Sequence, residues 1–307
     1  MPGPDEQSYF RQIVKQLKPR TVLIDFTTTL PVLDSLTADE RAGIRVAVLT
    51  HNLIHRRTEL YRERGQPLDF RALTCGEEAA LLRRADVIVA IQEREAEGFR
   101  ALAPDRKVAV VPMPVEPCPQ MPPGGAGCRC LFVGGYSGHN LDGLRWFLSE
   151  VWPAVLKVQP DAELDVVGTV GKAVPADAPR VHAHGPQSEL ADAYARAAVC
   201  VVPLRFGTGL KIKLIEAMAH GRAAVTTSAG AEGFPELEAG EVAAVADDAL
   251  SMAKAITDLL RDRTARETQA ARQNAWLRTR CTASRAILPL LEFDSGRPSV
   301  AAVPSLV

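Results

Sequence analysis

The 307-residue sequence has almost no net charge, because 36 Lys and Arg stand against 37 Asp and Glu. It therefore lacks the global basic field that recruits nucleic acid, and a small-molecule partner or a local charged site is favoured instead. No stretch approaches the ~18 consecutive apolar residues of a membrane span, and the opening "MPGPDEQSYF" has no apolar signal core. This suits a soluble chain and leaves open a peripheral contact at the cytoplasmic face of a membrane. The six cysteines (Cys75, Cys118, Cys128, Cys130, Cys200 and Cys281) include no CxxC pair, only a CxC, and none of the six histidines forms an HExxH motif. No structural metal is expected, and free thiols fit a reducing cytoplasm. GxGxxG and GxxxxGK[ST] are also missing, which removes the nicotinamide and Walker fingerprints.

What is present is an ordinary globular composition, 47% hydrophobic and 24% charged, in a chain long enough for two domains. Short apolar strands alternate with helical patterns. "EQSYFRQIVKQL" is helical, then come the strands "TVLIDF" and "IRVAVLT", the helix "CGEEAALLRRA", the strand "DVIVAI", the helix "QEREAEGFRALA" and the strand "KVAVVP". Near-continuous apolar strands separated by helices indicate a parallel sheet covered on both faces. Residues 112–128 hold six prolines and three glycines, a composition that predicts a linker. The pattern then restarts: "CLFVGG" (strand), "NLDGLRWFLSEVWPAVLKV" (one helix), "AELDVVG" and "RVHAHG" (strands), "SELADAYARA" (helix) and "AVCVVPL" (strand). After the helix in "LKIKLIEAMA", "AAVTT" and "EVAAVA" read as strands and "ALSMAKAITDLLRD" and "TARETQAARQNAWLRTR" as helices. The expected organisation is a partial N-terminal Rossmann-like domain (1–114), a linker (115–128), a C-terminal Rossmann-like domain (129–285) and a disordered tail (286–307). In such α/β sheets a ligand sits beyond the carboxyl ends of the strands, here in the cleft between the domains.

The densest chemical signal is "PLRFGTGLKIKLIEAMAHG", residues 203–221. Gly207 and Gly209 permit tight turns, and a helix is predicted from about Leu210, with Lys211 and Lys213 in its first turn. Cations are mildly unfavourable at that end of a helix. An anion held by the amides of Gly209, Leu210 and Lys211 and by both lysines would offset them. Ile212, Ile215 and Met218–Ala219 form the expected core stripe. Glu216, one turn into the helix, could accept both hydroxyls of a ribose. The plainer alternative is a surface helix with a weak Lys213–Glu216 pair.

Four ordered segments, "FVGGYSGHNLDGLRWFLSEVWP", "LDVVG", "PLRFGTGLKIKLIEAMAHG" and "AAVTTSAGAEGF", resemble the C-terminal domain of group 1 (family 4) glycosyltransferases of the GT-B fold. "THN" at 50–52 and "LLRRADVIVAIQEREAEGF" resemble the later part of that fold's N-terminal domain. The resemblance implies transfer of a sugar from a nucleotide-diphosphate donor (UDP, GDP, ADP or dTDP) to a hydroxyl acceptor that is a glycan, a lipid-linked group or a small molecule. It also implies retention, no bound metal and no tightly bound cofactor. Glu216 matches the ribose-holding second glutamate of the family's paired-glutamate motif, while Thr208 stands where many members have the first. Lys213, with Lys211, would meet the diphosphate. Gly135, Tyr136 and Ser137 replace an Arg and Lys found in many members, and Gly135 is placed among the donor-binding residues. His51 matches a histidine facing the donor sugar, so His51 and Lys213 are the catalytic candidates. His139 and Asn140 are expected to shape a loop and cap the next helix, Glu232 to lie solvated or near the donor, and Trp146 and Trp152 to be core.

Family members normally begin with a glycine-rich strand and loop that this sequence does not contain, so the first domain is expected to be incomplete: the sequence is a truncated form, a piece of a larger polypeptide, or a natural short form with a partner chain or domain supplying the rest. Two competing functions follow: a non-catalytic nucleotide-sugar-binding module derived from such a transferase, and a GT-B sugar-nucleotide epimerase, for whose active-site acids no match stands in the sequence.

Overall fold

The computed structural model describes residues 1–117 and 127–283. The predicted tail and most of the predicted linker lie outside the described residues. The first half runs α1 (Pro4–Leu17), β1 (Thr21–Asp25), α2 (Ala38–Arg41), β2 (Arg45–Leu49), α3 (Ile54–Glu63), α4 (Cys75–Leu82), β3 (Val87–Ala90), α5 (Glu93–Leu102) and β4 (Lys107–Val110). Its four strands pair in parallel in the order β1-β2-β3-β4. β3 is buried along its whole length, which explains why its sequence is an unbroken apolar run.

The second half runs β5 (Arg129–Val133), α6 (Gly138–Trp146), α7 (Trp152–Val158), β6 (Glu163–Val167), β7 (Val181–Gly185), α8 (Ala191–Arg196), β8 (Val199–Val202), α9 (Ile212–Ala219), β9 (Ala223–Thr226), α10 (Ser228–Ala231), α11 (Pro235–Glu238), β10 (Ala244–Val245), α12 (Ala249–Arg261) and α13 (Arg263–Arg280). Its six parallel strands lie in the order β10-β9-β8-β5-β6-β7. From β5 the chain winds outward through β6 and β7, then returns to the other side of β5 as β8. The loops after β5 and β8 therefore diverge at a topological switch point, where open α/β sheets bind ligands.

Each face of this sheet has its own core. Phe132, Phe147, Trp152 and Ile256 pack on one side, and Leu131, Tyr194, Ile215, Met218 and Leu277 on the other. Trp146 and Trp152 are both core residues, 6% and 1% exposed. A third cluster around Val46, Ile88, Leu82 and Phe99 holds the first half together.

Three local expectations need correction. The single helix predicted from Asn140 to Val158 is continuous from Gly138 to Val158 but widens into a π turn at Phe147–Val151. Pro153 explains the π turn, because it has no amide and its ring crowds the carbonyl four residues back. The Trp152 amide consequently reaches the Phe147 carbonyl. The edge strand predicted over "EVAAVA" shrinks to Ala244–Val245. In the other direction, α3 was not expected, since "IHRRTELYRE" buries only Thr58 and Tyr61 and so shows little apolar periodicity.

α6 approaches the segment after β8 through Gly143, where an added Cβ would lie 2.5 Å from the Pro203 carbonyl oxygen. Gly143→Ala should therefore push α6 off this segment and destabilise the protein by about 1–3 kcal/mol, measured by urea unfolding.

Candidate functional site

A cleft of about 580 Å³ opens between the two sheets, and all eight residues singled out in the sequence line it: His51, Gly135, Thr208, Gly209, Leu210, Lys211, Lys213 and Glu216. The turns that build it need glycine. Gly168 has φ +105°, and a Cβ there would sit 2.2 Å from the Gly134 oxygen, so the loops after β5 and β6 touch backbone to backbone. Gly209 has φ +76°, and a Cβ there would come within 2.7 Å of the His51 oxygen, joining the two halves of the molecule in the same way.

The helix following this turn starts later than the sequence suggested. α9 begins at Ile212, with Lys211 at the cap position and Lys213 in the first turn. Its buried face is Leu214, Ile215, Ala217 and Met218, while Ile212 is 45% exposed, so the expected core stripe is rotated away from Ile212.

The two lysines occupy different environments. Lys211 is buried, donates from Nζ to the Gly209 carbonyl at 2.7 Å and lies 3.7 Å from Glu232. Burial lowers its pKa, and Glu232 and Glu95 oppose the shift. Lys213 turns to Asn140 instead of Glu216 and donates to its Oδ1. Burial is the main cause of its pKa falling to about 7, and the charge of Lys211 adds to the fall. Asn140 also donates from Nδ2 to the Gly135 carbonyl at 2.9 Å, so one amide group sets both the β5 loop and Lys213. It does this from inside α6, whose cap is Ser137, so Asn140 is not itself the helix cap.

Glu216 accepts a long 3.4 Å bond from the buried Tyr194 hydroxyl, and the Tyr194 ring stacks on His220. The Thr208 hydroxyl is buried and has no partner among the described residues. Across the cleft, His51 pairs through Nε2 with Asp25 Oδ1 at 2.6 Å and stacks on Phe26 at 4.2 Å. Phe26 adopts φ +66° to place its ring there, a conformation that a non-glycine residue rarely adopts.

Several contributors were not legible in the sequence. Arg57 and Tyr61 from α3 line the cleft, and the Tyr61 hydroxyl bonds His139 Nδ1 at 2.7 Å. Burial pushes His139 down to about 3, so it is neutral at physiological pH. Glu232 proves to be neither solvated nor on the cleft wall. It meets Arg56 and Arg94 of the first half at 3.3 and 3.4 Å. The least expected residue is Glu95 of α5, buried, which accepts from the Gly209 amide at 3.0 Å. An amide expected to face an anion is thus already bonded to a carboxylate.

Residues 127–262 match a protein-family model described as "Glycosyl transferases group 1". This segment is therefore similar to group 1 glycosyltransferases. It is 30% identical over 141 residues to an uncharacterised 44.6 kDa protein in the cps region of Klebsiella pneumoniae, an alignment spanning 42% of this chain and 36% of that protein. The whole fold is that of GT-B transferases. It resembles TarM of S. aureus with a TM-score of 0.71 at 9% identity, covering 94% of this chain and 58% of TarM. Sucrose-phosphate synthase from Thermosynechococcus elongatus gives 0.71 at 18% identity, covering 95% and 77%. HepE of Anabaena, in complex with UDP and glucose, gives 0.70 at 12% identity, covering 95% and 82%. The chain therefore spans little more than half of TarM, and the match to the Klebsiella protein about a third of that protein. Among the described residues, no three His, Cys, Asp or Glu side chains gather as a metal site would need, and no helix is long and apolar enough to cross a membrane.

The lowered pKa of Lys213 has a measurable consequence for stability. An ammonium whose folded pKa lies below its unfolded one destabilises the fold at pH values below about 7, and the penalty fades as pH rises towards 10.5. Lys213→Met should therefore raise the melting temperature most at pH 6. The gain is about 1–2 kcal/mol after discounting for the part of the ammonium open to the cleft, and it should vanish near pH 10 in a pH series of thermal melts.

Proposed function

We propose that the chain binds a nucleotide-diphosphate sugar in the cleft and transfers the sugar to a hydroxyl acceptor: a glycan, a lipid-linked group or a small molecule. The observation that carries this is the convergence, within a segment similar to group 1 glycosyltransferases, of Lys213, Glu216 and two glycine-tight loops on one cleft at a switch point. Lys213 meets the diphosphate, which supplies the charge partner that Asn140 cannot. Glu216 holds the ribose diol, with Tyr194 fixing one of its oxygens. The Gly135 loop and Leu210 border the donor, and the unpartnered Thr208 hydroxyl is free to bond it.

The transfer step breaks the bond between the anomeric carbon and the β-phosphate oxygen, leaving negative charge on that oxygen. Lys213 and the remaining turn amides stabilise that charge. The same groups take the place of a divalent ion, so turnover should persist in EDTA. His51, oriented by Asp25 and Phe26, faces the sugar side of the cleft and bonds either the sugar or the departing phosphate. We further propose that the reaction retains anomeric configuration, which NMR of the product would read directly.

UDP is the first base to try, because TarM and HepE were crystallised with UDP. In a thermal-shift panel with UDP, GDP, ADP and dTDP, one nucleotide at ~100 times its Kd should add roughly 2.7 kcal/mol of stability. Lys213→Ala and Glu216→Ala should each weaken its binding roughly 10–100-fold, the loss of one charge-assisted contact. If no nucleotide shifts the melt, or both variants bind like the parent, the proposal fails. Binding without release of nucleoside diphosphate from any sugar nucleotide would instead identify a non-catalytic binding module.

A further inference from the structure

The cleft-forming turn Gly207–Lys211 is held by a residue of the opposite half. Glu95 sits on α5, is 3% exposed and belongs to no catalytic pattern in the sequence. One of its oxygens, Oε1, accepts two backbone amides, from Leu53 at 3.2 Å in the first half and from Gly209 at 3.0 Å in the second. On the other side of the same glycine, Lys211 Nζ donates to the Gly209 carbonyl at 2.7 Å. Both polar groups of Gly209 are thus held by ionisable side chains, while its α-carbon packs against the His51 carbonyl. The second Glu95 oxygen is buried with no partner among the described residues.

We infer that Glu95 is a positioning residue that clasps the glycine turn to the first half, setting the turn that leads into Lys213 and Glu216 against the strand end that carries His51. Leu53 caps α3 immediately after His51 and Asn52, so the single oxygen joins the two backbone segments that face each other across the cleft. This goes beyond the proposed transfer reaction and rests on it only for its functional consequence; the clasp itself is a property of the fold.

Protonation gives the clasp a signature that packing alone would not produce. The groups facing Glu95 are Lys211 and Glu232 of the second half, with Arg56 of α3 and Arg94 of its own helix reaching Glu232. Burial pushes the Glu95 carboxyl up to about 7; the two amides and Lys211 oppose the shift, and Glu232 adds to it. A clasped carboxyl with a raised pKa keeps a proton that the released, hydrated carboxyl gives up. The clasp is therefore fully present below the ordinary carboxyl range and is lost as pH rises through about 7. A glutamine, neutral at every pH and able to accept the same two amides, should hold the turn throughout.

The test is amide hydrogen exchange of residues 207–211 in the parent, Glu95→Ala and Glu95→Gln, from pH 5.5 to 8.5. Glu95→Ala should exchange about tenfold faster at pH 6, as expected for loss of the Gly209 amide bond. Glu95→Gln should match the parent at pH 5.5 and be better protected above pH 7. Binding measured with UDP and GDP should weaken about tenfold in Glu95→Ala and be retained in Glu95→Gln. The inference is overturned if Glu95→Ala protects the turn like the parent, if Glu95→Gln is as loose as Glu95→Ala, or if the parent-to-Gln ratio is flat with pH. Tighter nucleotide binding by Glu95→Ala would also overturn it, since Glu95 would then be competing with the donor for the Gly209 amide. Should Glu95→Ala not fold, the parent-to-Gln comparison decides alone. If the parent binds none of UDP, GDP, ADP and dTDP, the proposed function fails while the exchange data still decide the clasp.

Discussion

Where Gly209 meets His51, two backbones from different halves of the protein come closer than any side chain would allow. A Cβ on Gly209 would lie 2.7 Å from the His51 oxygen, and the residue's φ of +76° already disfavours anything but glycine. This contact brings the carboxyl end of β2 up to the loop that follows β8. The Gly168–Gly134 contact does the same between the loops after β6 and β5. Lys213 and Glu216 then follow from helix geometry, three residues apart on α9 and both on the cleft wall.

That geometry forces cations out of bulk water, and the protein compensates them unequally. Lys211 is enclosed by Glu232, Glu95 and the Gly209 carbonyl, so its charge is balanced within the protein. Among the described residues Lys213 hydrogen-bonds to the neutral Asn140 side-chain oxygen, and its pKa falls to about 7 although the charge of Glu216 opposes the fall. A half-buried ammonium without a carboxylate partner is costly unless something anionic completes it. The two lysines that look equivalent in the sequence therefore divide the work: Lys211 builds the turn, and Lys213 is left for the ligand.

Much of this was legible in the sequence, and the limits are physical. Strands such as "DVIVAI" and "AVCVVPL" are apolar throughout because both their faces are covered, which marks a parallel sheet without any structure. The glycine-lysine segment and Glu216 were legible because their chemistry is local, packed into one turn and one helix. Glu95 was not, because its meaning depends on a contact with Gly209, 114 residues away. α3 was hidden for a related reason: Tyr61 earns its place through His139, Phe70 and Phe206 rather than through an apolar stripe on its own helix. The π turn before Val158 could have been read from Pro153, and the late start of α9 from Gly209, whose left-handed backbone delays the first helical turn.

The central claim is that Lys213 is a partly neutral cation completed by the diphosphate of a nucleotide. Calorimetric titration of UDP or GDP at pH 7.5, in two buffers of different ionisation enthalpy, tests it most directly. A lysine with a pKa of about 7 must take up part of a proton when an anion binds beside it, and the parent should show that uptake while Lys213→Met does not. Nucleotide binding with no proton uptake by the parent, or with equal uptake by the variant, would contradict the account.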